Sequence, residues 1–284
     1  MKRLKPFLSL VLVIATISLI TWYVGAHPAI IHDFLSVSPL VLVLVLALYG
    51  AQLAALIQIY KYTIRLTGKM ISNSENILLT SYSNVINFIG PLQSGPGFRA
   101  LYLNKRHGIS FKKYATATLA YYVFYGVFSM AALFLGSTFW YVGFMLLLAA
   151  LGLTIFGERI VTGVRLDGKW LPHLAVAALV QVLIFSLIYF VELRSIDSSI
   201  TISQSLSYAG TANLSLFAAL TPGAIGIREA FLVFTQSLHH ISTNIIVAAS
   251  IIDRAVYVSY LGILLGLGVT LHVKDKLLPK DNKS

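Results

Sequence analysis

Two arginines, Arg99 and Arg228, close stretches of the same design. Arg99 lies in SYSNVINFIGPLQSGPGFRALYL (Ser81–Leu103) and Arg228 in SYAGTANLSLFAALTPGAIGIREAFLV (Ser207–Val233). Each opens on Ser-Tyr, passes an Asn (Asn87, Asn213), then Pro and Gly, and reaches Gly-x-Arg (Gly97 to Arg99, Gly226 to Arg228). A guanidinium is a planar fork of N–H donors that grips a carboxylate or phosphate through two parallel hydrogen bonds. Pro91, Pro96 and Pro222 stop a helix from continuing, while Gly95, Gly97, Gly223 and Gly226 permit tight backbone and close ligand approach. A half-helix beginning near either arginine aims its N-terminal N–H groups and positive dipole end at the same spot. The chemistry on offer is capture of an anion, phosphate foremost.

Companion charges concentrate in the second stretch. Glu229 adjoins Arg228, and Asp253, Arg254 and Tyr257 follow in the next apolar segment. Asp253 and Tyr257 are four residues apart, on one helix face. Ionisable groups at membrane depth are costly, so they pair, and they mark function more often than in soluble proteins. The expected substrate-binding set is therefore Arg99, Arg228, Glu229, Asp253, Arg254, Gly97, Gly226, Pro222 and Tyr257. In it the arginines bind a phosphate, and Asp253 or Glu229 holds Arg254 or Arg228 ready and carries a proton. Two plainer readings compete: an ion pair that only locks one helix to another, and arginines that snorkel to head groups.

The elements positioning these residues belong to a membrane. The chain of 284 residues is 57% hydrophobic and 11% charged, with a mean hydropathy of +0.82, beyond an ordinary soluble domain. Runs of about 20 apolar residues cross a hydrocarbon core of roughly 30 Å as helix. Spans are expected near 7–25, 39–60, 114–136, 138–156, 172–193 and 244–271. One integral membrane domain over 1–284 leaves no room for a separate soluble catalytic domain. Cysteine is absent, so thiolate and disulfide chemistry are excluded.

Loop charges set the orientation. The net charge of +11 is not a nucleic-acid signal, because the basic residues cluster at span ends. Lys2, Arg3 and Lys5 place the N-terminus in the cytoplasm, and Lys274, Lys276, Lys280 and Lys283 place the C-terminus there. If residues 76–91 crossed the membrane, Arg99, Lys105, Arg106, Lys112 and Lys113 would all lie outside. A hairpin entering from the cytoplasm keeps them inside. Of 21 Lys and Arg residues, all but Arg194, Arg228 and Arg254 then fall on or near the cytoplasmic side. The same logic makes 203–240 a hairpin entering from outside. The repeat extends further: Ile109-Ser110 answers Ile241-Ser242, and Tyr125 answers Tyr257. The expected fold is an all-α polytopic membrane protein with about six spanning helices plus two re-entrant, Pro/Gly-broken hairpins related as an inverted repeat (about 76–136 and 203–271). Apolar segments broken at matching places in two halves point to a transporter's substrate site.

Other features carry less. His239-His240 reads as the polar, interfacial end of a return helix, since adjacent residues face different ways and no third metal ligand is near. Gly262 and Gly266 form a GxxxG, a pattern of close helix packing. Asn84, Asn87 and Asn213 are suited to satisfying freed backbone groups. Tyr121, Tyr122, Phe124, Tyr125 and Phe128 either line an acyl groove or pack against lipid. Lys2–Ala26 mimics a signal peptide, but its apolar run exceeds the usual length and suits a first span. No nucleotide-binding glycine loop, His/Cys metal spacing or Gly-x-Ser-x-Gly occurs. The expectation is a protein that is not an enzyme, with no cofactor and no metal. A polyprenyl-phosphate transferase would need metal-binding carboxylates, and only Asp253 and Glu229 look deep enough.

TPGAIGIREA (Thr221–Ala230), with Asp253-Arg254 in the following helix, resembles the signature of the lysylphosphatidylglycerol synthase transmembrane-region family. GPGFRALYLNKRHGIS resembles that family's first motif, and the likeness spans nearly the whole chain. Where many members carry an acidic-Arg pair after the first motif, this chain has Tyr121-Tyr122. The resemblance implies a flippase-type membrane domain in stand-alone form, without the aminoacyl-transferase domain, in the cytoplasmic membrane of a prokaryote. It implies handling of a phospholipid or polyprenyl-linked precursor. The alternative is a non-transporting partner subunit of a lipid or cell-envelope glycan synthetic enzyme.

Overall fold

The computed structural model describes residues 37–89, 94–160, 166–218 and 226–277, with Gly25 and Ala224 besides. The expected first span, Pro91 and Pro222 lie outside the described residues. Every regular element among those described is helical: α1 (Pro39–Leu66), α2 (Asn73–Ile89), α3 (Ser94–His107), α4 (Phe111–Leu135), α5 (Trp140–Ile160), α6 (Leu171–Ile196), α7 (Ile202–Ser215), α8 (Ile227–Phe234), α9 (Gln236–His239) and α10 (Thr243–Leu277).

Local sequence sets several of these ends. Ser38 caps α1 by accepting the Leu40 N–H at 3.3 Å, and Pro39 occupies the first turn, where no donor is needed. Ser110 caps α4 through the Lys113 N–H at 3.3 Å, and Ser242 caps α10 through the Ile245 N–H at 3.5 Å. Those two serines are the residues that correspond in the repeat. Thr201 and Gln204 form a reciprocal capping box at the start of α7.

Four described segments are long and apolar enough to cross a membrane: Pro39–Leu66, Phe111–Leu135, Gly168–Ile196 and Thr243–Gly266. The apolar stretch of α5, Trp140–Ile155, is shorter. The remaining helices differ in kind. At 17, 14 and 8 residues, α2, α7 and α8 extend about 25, 21 and 12 Å, less than a hydrocarbon core of roughly 30 Å.

These short helices are arranged as antiparallel pairs. α3 runs back along α2, so that Glu75 at the start of α2 meets Tyr102, Arg106 and His107 at the end of α3, at 2.6, 3.3 and 2.8 Å. Burial would raise the Glu75 carboxyl, but the hydrogen bonds from Tyr102 and His107 outweigh it and hold it below the usual carboxylate range. At the other end Asn87 Oδ1 accepts the Gly95 N–H at 3.3 Å. A Cβ on Gly95 would sit 2.6 Å from the Ser83 carbonyl oxygen, so the two backbones touch there. In the second half α8 and α9 return along α7: Thr235 donates to Thr211 at 3.1 Å, and the His239 and Tyr208 rings lie 5.7 Å apart.

The two halves are interlocked. α2 of the first packs against α10 of the second, and α7 of the second packs against α4 of the first. Small residues make the second contact possible. Ser203 and Ser207 of α7 donate to the carbonyls of Gly136 and Leu133, both at 2.7 Å. A Cβ on Gly210 would meet the Ser129 carbonyl at 2.5 Å. The helix is accordingly buried from Ser207 to Asn213. By contrast, nothing lies within 4 Å of a Cβ built on Gly262 or Gly266, so no described residue packs on that GxxxG.

Candidate functional site

Arg99 and Arg228 line one cavity of about 170 Å³, although they come from different halves. Arg99 stands in the second turn of α3 and is 2% exposed. Its guanidinium carbon lies 3.5 Å from the centre of the Tyr60 ring, and its Nε donates to the Tyr114 hydroxyl at 2.9 Å. Both supports are neutral. Among the described residues no carboxylate pairs with Arg99.

Arg228 stands in the first turn of α8 in different company. Its Nη1 is 2.5 Å from Asp253 Oδ2 and 3.4 Å from the Tyr189 hydroxyl, and its Nε is 3.5 Å from Glu229 Oε1. Glu229 also meets Arg254 Nη2 at 3.3 Å, and its other oxygen takes the Gly226 N–H at 2.8 Å. Tyr49 donates to the second oxygen of Asp253. Gly226 needs to be glycine here, because its φ of +81° is in the left-handed region. Although Arg228 is only 6% exposed, its Nη2 has no acceptor among the described residues.

Arg228 and Arg254 are paired with Asp253 and Glu229, Arg99 has no carboxylate partner among the described residues, and the buried Glu192 carboxyl lies nearby without an ion-pair partner there. A cavity with a buried arginine that no described carboxylate pairs, spare N–H donors on a second arginine and polar walls can accept an anion. Those walls include Asn84, Asn87 and Gln181 beside Tyr121, Tyr122 and Tyr257.

Of the residues singled out by the sequence, Arg99, Arg228, Asp253, Arg254 and Tyr257 meet in the cavity, and Glu229 braces two of them. Gly97 does not join them: it is an exposed helical position with open space where a Cβ would go. Pro96, beside it, does line the cavity. Where the second half has Asp253, the first has Tyr121, whose hydroxyl donates to Gln181 at 2.9 Å. Asn87 serves the backbone as expected, but neither side-chain polar atom of Asn213 has a partner among the described residues. The His239-His240 pair does end a helix, with His240 exposed, but His239 is buried. It is 0% exposed, with Nε2 on the Leu232 carbonyl at 2.9 Å and Nδ1 accepting the Ile241 N–H at 3.1 Å.

Sequence reasoning missed the tyrosines that support the site, Tyr114 beside Arg99 among them. Tyr60 and Tyr49 carry no motif, and only the packing of α1 brings them to Arg99 and Asp253. It also limited the deep carboxylates to Asp253 and Glu229. Glu192 is a third, with 0% exposure and neither oxygen hydrogen-bonded among the described residues. A lone acid in the apolar window of α6 was the available signal. No protein-family model matches this chain, and no curated protein matches it.

Proposed function

We propose that the chain translocates an anionic phospholipid, or a lipid-linked precursor, across the cytoplasmic membrane and holds its head group between Arg99 and Arg228. The carrying observation is that arginines from two repeated halves line one cavity, one of them without a carboxylate partner among the described residues. Two short antiparallel helix pairs support reading α2–α3 and α7–α8 as re-entrant hairpins, entering from opposite faces by the loop-charge rule. The likeness to the lysylphosphatidylglycerol synthase transmembrane-region family agrees with a lipid substrate. Arg99 supplies net charge; Arg228, tethered by Asp253 and Glu229, supplies oriented donors. The mechanism is electrostatic capture in a wet cavity, with the acyl chains left to the surrounding membrane.

Purified protein in liposomes carrying a fluorescent anionic phospholipid tests this. Losing one charged hydrogen-bonding partner costs about 1.5–3 kcal/mol, so Arg99→Ala is expected to slow translocation about 10–100-fold. Arg228→Ala is expected to slow it at least as much. A folded Arg99→Ala protein moving lipid at the wild-type rate defeats the reading. If the pure wild type moves no lipid but co-purifies with a lipid or glycan synthase, the partner-subunit reading replaces it.

A further inference from the structure

We propose that Glu192 is a proton-binding site that decides whether Arg228 is open to an anionic head group. The site follows from what Glu192 lacks. It sits one turn before the C-terminal end of α6, is 0% exposed, and has both carboxyl oxygens without a hydrogen-bond partner among the described residues. The donors that the structure pairs near it are turned to other acceptors. Tyr49 of α1 donates to Asp253, and Arg228 of α8 spends Nη1 on Asp253 and Tyr189.

Titratable or charged groups from five elements face Glu192. Tyr49 comes from α1, Tyr189 from its own helix, Tyr208 from α7, Arg228 from α8 and Asp253 from α10. Tyr189 in turn reaches Tyr125 of α4. Within this group Arg228 and Arg254 are already balanced by Asp253 and Glu229. A further ionised carboxylate would be an unpaired buried charge beside Asp253, and such a group takes up a proton. Glu192 is therefore the neutral carboxylic acid of the cluster.

Its counterpart is Arg228 Nη2, which has neither a hydrogen-bond acceptor nor an ion-pair oxygen among the described residues, whereas Nε, also without a hydrogen bond, lies 3.5 Å from Glu229 Oε1. With Glu192 protonated, Nη2 is available to a phosphate entering the cavity. When the proton leaves to water, the new carboxylate draws the guanidinium to itself and competes with the anion. Proton and head group thus bind cooperatively, one of each, and by reciprocity a bound anion tightens the proton. This goes beyond assigning a proton to Asp253 or Glu229, which are both held by arginine. The coupling rests on the anion-site reading above, whereas the proton site does not.

Infrared spectroscopy and anion binding test the two parts separately. Wild-type protein in nanodiscs is expected to show a protonated-carboxyl stretch at neutral pH, and Glu192→Gln to lack it. A wild type without that band overturns the proton site, with no variant required. Binding of a water-soluble, short-chain phosphatidylglycerol is then measured across pH. Wild-type affinity is expected to fall by up to about tenfold per pH unit on the alkaline side, the limit for one linked proton. Glu192→Gln, fixed in the neutral form, is expected to bind with a flat profile. A Glu192→Gln protein that keeps the wild-type pH profile overturns the coupling. Absence of binding at any pH overturns the anion-site reading and the coupling with it, while the infrared band still decides the proton site.

Discussion

Arg99 and Arg228 share a residue type and a local motif but not an electrostatic setting. Arg99 is held by an aromatic face and a hydroxyl, so its charge stays available to a ligand. Arg228 is bound into a four-membered chain with Asp253, Glu229 and Arg254. Removing one partner of a buried pair leaves the other uncompensated, at a cost of about 3–5 kcal/mol. Asp253→Asn should therefore lower the thermal unfolding midpoint sharply. Adding Arg228→Gln should recover part of the loss, because Glu229 and Arg254 remain paired. A double variant that loses the full sum of both single effects would show that the pair is not coupled. The motif arginines and their acidic partners were legible in the sequence because charges stand out in apolar text. Tyr60, Tyr114 and Glu192 were not: a tyrosine or a single acid near a span end has many uses, and only tertiary contact selects one.

At the scale of elements, Gly95, Pro96 and Gly97 fall in the first turn of α3 rather than in a break, Gly226 caps α8, and the serines that cap α4 and α10 stand at matching repeat positions. The pairing of helices was illegible for a physical reason. A helix apolar all round has no amphipathic stripe to show which face meets which neighbour. Glycines illustrate the point, since sequence favoured Gly262 and Gly266 as a packing motif while the close approach is at Gly210. Gly210→Ala places a methyl 2.5 Å from the Ser129 carbonyl oxygen. Overpacking of that kind costs about 1–3 kcal/mol, read as a lower unfolding midpoint in detergent. Gly262→Ala meets nothing within 4 Å and should stay within about 0.5 kcal/mol of wild type. The reverse ranking would mean that the α4–α7 contact is not the tight one.

For the whole molecule, the orientation of the hairpins is the decisive quantity. The chain has no cysteine, so a single introduced thiol is a clean probe. Gln93→Cys should react with an impermeant reagent from the cytoplasmic side, and Ala224→Cys from the outside. Labelling of Gln93→Cys only from outside would place both arginines behind the same face and end the inverted-repeat reading. The cavity is the part of the site that sequence left least visible. Loop charges separated the two arginines by leaflet, and the fold unites them because each half lays its short helix on the long helix of the other.

That crossing has a consequence for how the protein is made. α2 rests against α10, whose first residue follows that of α2 by 170 positions (73 to 243). At about 5–20 residues per second, synthesis leaves α2 without that cover for on the order of 10–30 s. Through this interval the Arg99 hairpin, with its buried charge, has to be sheltered by the insertion machinery or by lipid head groups. A chain terminated before Thr243 would never leave that stage. Nonsense mutations that remove α10 should then be as damaging as much earlier ones, because α10 is the helix that covers α2.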